Sequence, residues 1–234
     1  MVERALNRIR RTKLYDLCAA APLIAWYGYW AAHMLPSLTQ EIALIKMFVQ
    51  TDASVLPATL VLRTLAHLGT LVFLALLVVM FVVRQVPLQT APGFYPRFAA
   101  VAGTYLGTAI VLLPPQELSS AFYLVSLLLI VTGTLVAICA VLALGRSISI
   151  VPEARRLVTW GPYALVRHPL YLGEIVAIFG IALQYLFPWA LLLAALVCAF
   201  QLQRIKYEER ILAKVFPKYE SYMMETASLV PGLY

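Results

Sequence analysis

Charge is scarce in this chain. Asp, Glu, Lys and Arg make up 12% of its 234 residues, where an ordinary soluble domain carries about 25%. With 62% hydrophobic residues and a mean hydropathy of +0.86, that scarcity excludes a soluble globular protein. Cysteine is sparse too. Cys18, Cys139 and Cys198 lie far apart, each inside an apolar stretch, so they form neither a disulfide framework nor a metal motif and read as small packed residues. The chain also lacks a G-x-G-x-x-G fingerprint, a Walker A loop and any cluster with metal-ligand spacing. A nucleotide-like cofactor would therefore not sit on a Rossmann domain, and no metal is expected. Cationic residues outnumber acidic ones, 18 to 11. Because they lie mostly between apolar segments, they mark membrane orientation rather than a nucleic-acid partner.

What is abundant is long apolar sequence. Stretches long enough to cross a bilayer run over 14–35, 65–83, 98–113, 121–144, 170–186 and 188–202, the last two joined by a short turn at Phe187-Pro188. The first follows a basic start and is too long for a signal-peptide core, so it reads as a retained transmembrane helix. The less apolar segment 37–59, with Glu41, Lys46 and Asp52, is expected to lie along the interface as an amphipathic helix. Assigning alternate connections to opposite sides places sixteen cationic residues on one side and two on the other. The expectation is an all-α, polytopic integral membrane protein with about six transmembrane helices, in the cell (inner) membrane, with both termini cytoplasmic. Membrane helices would occupy residues 1–143, and residues 144–234 would form a core made of a cytoplasmic loop, a helical hairpin and a C-terminal cytoplasmic segment.

Two stretches hold most of the polar chemistry. In "LVTWGPYALVRHPLYLGE", 157–174, Pro162 and Pro169 stiffen the backbone, and Pro169 is placed to open a helix whose first amides lack intrahelical partners. Such amides suit an anionic ligand group. A helix cap flanked by interfacial tyrosines and snorkelling arginines would explain the same residues. The second stretch, "RIKYEERILAKVFPKYESY", 204–222, puts Arg204 and Glu208 on one helical face and Glu209 about 100° away. A solvated surface ion pair is the plainer reading, but charges leaving a membrane helix are often functional. Gly173, Ala177 and Gly180, and the run Gly103–Gly107, have the spacing of close helix packing; a homodimer through the third span is one use of the latter. His33 and His67 are isolated and read as interfacial or packed residues.

The two stretches together resemble the isoprenylcysteine carboxyl methyltransferase family, within a wider group of membrane methyltransferases that includes the phospholipid N-methyltransferases. The resemblance covers 144–231. It implies an S-adenosylmethionine-dependent enzyme with a lipophilic or lipid-modified substrate entering from the membrane lipids, and a C-terminal segment that closes the cofactor pocket. By matched positions, Arg155, Arg156, Leu157, Val158, Tyr163, His168, Pro169, Leu170 and Tyr171 would line the cofactor. Glu208 would contact it as well, and Arg204 would bind the acceptor group, so that Arg204 and Glu208 form the catalytic pair. Pro217 departs from the family's usual glycine, which implies an altered turn in the closing segment. The implied acceptor is a carboxylate or thiol, neither of which needs a general base once ionised. A phospholipid amine would need one, Glu208 or Glu209. An NADPH-dependent sterol-type reductase, with Arg155 and Arg156 on the extra phosphate, and a transporter are the competing classes.

Overall fold

The computed structural model describes residues 12–232; Arg4, Arg8, Arg10 and Arg11 of the basic start lie outside the described residues. Among the described residues, seven α-helices run in the order α1 (Lys13–Thr51), α2 (Ala58–Val83), α3 (Tyr95–Ala109), α4 (Ser120–Leu144), α5 (Pro169–Leu183), α6 (Trp189–Val215) and α7 (Tyr219–Glu225). Two short strands, β1 (Gln89–Thr90) and β2 (Glu153–Ala154), pair antiparallel, Gln89 with Ala154 and Thr90 with Glu153.

Among the described residues, three helices are long and apolar enough to cross a membrane: 58–83, 120–147 as extended by its last short turn, and 189–215. Their outward faces are apolar, as at Leu65, Val79, Phe122, Leu135, Leu142 and Leu192, all exposed; an apolar surface of that extent belongs in lipid. The expected count of six is not reached on the same terms. α3 and α5 have only 15 residues each, and α1 is diluted by Trp26, Tyr27, Tyr29, Trp30 and His33. The interfacial helix expected over 37–59 is not separate either. α1 runs 39 residues straight through Pro22 and Pro36. A helix proline removes one backbone bond without ending a membrane helix whose neighbours hold it. Here the neighbour is α2, which covers Glu41 with Arg63 and His67.

The connections gather at two ends of the bundle. At one end, Gln116 Nε2 donates to the Leu183 carbonyl and the Leu186 amide to that of Pro114, so the α3–α4 link lies against the α5–α6 turn. At the other, the 85–91 segment bonds to 146–154 through Gln85–Arg146, Leu88–Ala154 and Ala91–Pro152. The start of α1 joins that end through buried Asp16, which accepts from Arg84 at 2.9 Å and 3.0 Å and from Arg155 at 2.9 Å. The segments given the positive-rich side by sequence thus lie together. The span from Arg63 to Arg84 is about 31 Å of helix, close to the hydrocarbon thickness of a bilayer.

The tightest packing is between α4 and α5. A Cβ on Gly133 would meet the Ala177 nitrogen at 2.5 Å, and one on Gly173 the Ala137 nitrogen and Gly133 oxygen at 2.6 Å. Small residues let the two backbones touch, as their spacing predicts. The Gly103–Gly107 run also packs inside the chain, Gly103 on Phe200 and Gly107 on Ile178. That use removes the reason it offered for a dimer.

Candidate active site

α5 and α6 form an antiparallel hairpin, and their facing sides carry the chemistry. On α5, Tyr171 and Glu174 are one turn apart. On α6, Gln201, Arg204 and Glu208 follow at spacings of three and four, which stacks them on one face. The result is a line of contacts. Tyr171 Oη donates to Glu208 Oε2 at 2.7 Å, and the Arg204 guanidinium lies 4.9 Å from the centre of the Tyr171 ring. Arg204 donates to Gln201 Oε1 at 2.7 Å, and Gln201 Nε2 donates to Glu174 Oε2 at 2.7 Å. A further Arg204 nitrogen donates to the Ile150 carbonyl at 2.9 Å, while its Nε is buried without a hydrogen-bond partner.

Arg204 is 4% exposed, so this is no solvated surface pair. Nor is it an Arg204–Glu208 ion pair: among the described residues none joins them, because the Tyr171 ring stands beside both. Each carboxylate is held by one neutral donor, and among the described residues its other oxygen has no hydrogen-bond partner.

This line heads an interior chamber of about 480 Å³, within the usual range for small-molecule pockets. Glu174, Gln201 and Arg204 line it near Ile150, and its walls are mainly apolar side chains of α1 to α6. Along α4 it extends from Ala137 to Tyr123, about 21 Å of helix, and at the far end it meets Arg63 and His67. A chamber so long for its volume suits an extended chain better than a compact solute. A wider open hollow of about 800 Å³ lies between Leu157, Thr159 and the 216–226 segment, and contains none of these polar contacts.

Glu209 has a different task. It accepts from Arg167 at 2.9 Å and contacts His168 at 3.2 Å. Arg167 also donates to the Met223 and Thr226 carbonyls, and the Arg167 and His168 amides bond to Ala227 and Ser228. The segment after α7 is thereby fastened across the start of α5. Tyr222 adds a bond from its hydroxyl to the Tyr163 carbonyl. Burial, opposed by nearby Arg167, pushes the Tyr222 phenol up to about 12, so it stays protonated as the donor. Burial raises Tyr163 and Tyr219 likewise.

The other sequence-predicted positions separate. His168 caps α5 without a side-chain bond to it, Pro169 is fully buried at its first turn, and Leu170 lines the chamber. Val158 and Tyr163 pack with Ala140 and Ala143. Leu157 faces the outer hollow and Arg156 is exposed. Arg155 is drawn into the cluster with Asp16 and Glu153, at 2.9 Å and 2.6 Å. Sequence reasoning missed Glu174, Gln201 and Asp16. The signal available was an acidic or amide residue inside an otherwise apolar helix. His67 is not isolated, since it bonds to buried Glu41, and His33 meets the Tyr29 hydroxyl at 3.3 Å.

Residues 121–219 match the family model described as phospholipid methyltransferase. The chain is 32% identical over 96 residues to a nickel-cobalt-cadmium resistance protein, NccN, of Alcaligenes xylosoxydans xylosoxydans, covering 41% of this chain and 42% of that protein. It is 35% identical over 98 residues to a cobalt-zinc-cadmium resistance protein, CzcN, of Cupriavidus metallidurans, with coverage of 41% and 42%. Protein-S-isoprenylcysteine O-methyltransferase A of Arabidopsis thaliana is 35% identical over 112 residues, 45% of this chain and 57% of that protein. The chain thus spans about half the length of the curated relatives it matches. The matched region begins at the start of α4 and contains the whole line from Tyr171 to Glu208. Through that region, the chain is similar to membrane methyltransferases of the phospholipid and isoprenylcysteine types.

Proposed function

We propose that the protein transfers a methyl group from S-adenosylmethionine to a lipophilic acceptor held in the interior chamber. The observation that carries this reading is the placement of Arg204. It is a buried guanidinium at the head of an apolar chamber, with Tyr171 between it and a second carboxylate, Glu208. That arrangement separates a cofactor side from an acceptor side.

The residues on the cofactor side fit the group. Glu208 offers a half-satisfied carboxylate to a cation, Tyr219 has a buried hydroxyl with no partner, and α5 begins without a side-chain cap on its first amides. Glu208 would hold the cofactor's ammonium group, the amides beyond Pro169 its carboxylate, and Tyr163 and Tyr171 would flank it. When bound, the cofactor supplies an electrophilic methyl carbon on a sulfonium. The chain's own contribution is positioning and exclusion of water: methyl transfer is an in-line displacement whose rate depends on holding the two reactants in register. The 226–228 segment, fastened by Arg167 and Glu209, would close the site. The acceptor's chain would lie in the chamber with its reactive head at Arg204. The loop end, rich in arginine and lysine, would face the cytoplasm.

The test is transfer of radiolabelled methyl from S-adenosylmethionine to lipid extracted from membranes, using purified protein in detergent. Wild type is expected to label a lipid-soluble product and Arg204→Ala to label none. Label appearing equally with both proteins would contradict the assignment of Arg204 to the acceptor.

A further inference from the structure

The acceptor side contains a group that the resemblance does not supply, Glu174. It lines the chamber beside Arg204 and Gln201, and its Oε2 accepts from Gln201. Among the described residues its Oε1 has no hydrogen-bond partner. We propose that Glu174 is the acceptor-side base, and that it selects acceptors whose nucleophile arrives carrying a proton, an amine or a thiol, over a carboxylate. The proposal rests on the methyltransferase reading and narrows its acceptor.

The argument is electrostatic. Arg204 alone in an apolar chamber would be a receptor for an anion. Here its guanidinium already donates to Gln201 and to the Ile150 carbonyl, and it feels the charge of two carboxylates, Glu174 and Glu208. The titratable groups around Glu174 are Arg204 and Glu208 on α6, Tyr171 on its own helix, Tyr163 before it and Tyr27 on α1. With Glu208 committed to the cofactor, the acceptor meets one cation and one anion. A carboxylate head would bring a second negative charge next to Glu174 in a poorly solvated space, which is costly. An ammonium head brings the opposite charge. In the same low-dielectric space, burial disfavours both charged forms, so a proton passes readily from ammonium to carboxylate. The free amine is the form able to attack.

The step balances. The nitrogen or sulfur lone pair forms a bond to the methyl carbon, and the carbon–sulfur bond of the sulfonium breaks with its electrons staying on sulfur. The N–H or S–H proton ends on Glu174, which would give it up to water once the product has left. Gln201, which holds both Glu174 and Arg204, fixes the distance between them and acts as a positioning residue.

The experiment measures binding to cofactor-free protein in detergent by calorimetry, with hexadecylamine, hexadecanethiol and hexadecanoate as probes. Wild type is expected to bind hexadecylamine at least about tenfold more tightly than hexadecanoate. That ratio is about 1.4 kcal/mol. Glu174→Gln should lose the preference, and Glu174→Asp, which keeps the carboxylate, should retain part of it. With S-adenosylmethionine present, transfer to the amine or thiol should fall about a hundred- to ten-thousand-fold in Glu174→Gln, and the two probes show which nucleophile is used. A wild-type preference for hexadecanoate, amine binding unchanged in Glu174→Gln, or transfer to neither protic probe would overturn the proposal. S-adenosylmethionine binding measured on the same samples keeps the two claims apart. Wild type that fails to bind it sinks the methyltransferase reading, while the probe preferences still report on Glu174.

Discussion

Glu208 and Glu209 are neighbours in sequence and opposites in structure. Glu209 meets Arg167 and His168, with the Ser228 hydroxyl nearby at 3.5 Å, and ties three parts of the chain together. Glu208 has one phenol for a partner and a free oxygen. The 100° turn between adjacent helical residues sends one carboxylate to the closing segment and the other to the Tyr171–Arg204 line. The difference teaches how to tell a structural charge from a functional one at a membrane helix end. The structural group binds an arginine and a histidine that hold distant segments together, all through its Oε1, whereas the functional group is held by a single neutral donor beside the buried Arg204.

Four substitutions test that contrast. Arg204→Ala should have the largest effect, a loss of transfer of about a hundred- to a thousand-fold, with S-adenosylmethionine binding retained in a calorimeter. Arg204→Lys keeps the charge without the planar fork and should recover folding better than activity. Next comes Glu209→Gln. Loss of its charged contacts should cost about 1–3 kcal/mol locally, seen as faster amide exchange over 219–229, with exchange in α4 unchanged. If α4 exchange rises equally, the fastening is not local. The smallest is Tyr171→Phe, which removes one hydrogen bond, about 0.5–1.5 kcal/mol. Cofactor affinity should fall roughly three- to tenfold, and an unchanged affinity would mean that Glu208 does not need its phenol.

Much of this was legible in the sequence, for reasons that are local. The hairpin around Phe187-Pro188, the helix start at Pro169 and the close-packing glycines follow from backbone chemistry and small-residue spacing, and each appears in the structure. The 3.6-residue period placed Glu208 and Glu209 on different faces. What escaped depends on contacts between distant segments. Asp16 and Arg84 meet across 68 residues, and Arg155 reaches the same carboxylate from 139 residues away. Glu174 looks like the tail of a motif until α6 brings Gln201 and Arg204 against it. The continuous α1 was hidden because Glu41, Lys46 and Asp52 read as the polar face of an interfacial helix, when Glu41 is covered by α2.

The most direct test of the account is S-adenosylmethionine binding to Glu208→Gln and Glu209→Gln side by side with wild type, by calorimetry in detergent. The account predicts that wild type binds, that Glu208→Gln weakens binding about 10- to 100-fold, and that Glu209→Gln changes it by less. Equal losses in both variants, or a larger loss in Glu209→Gln, would contradict it.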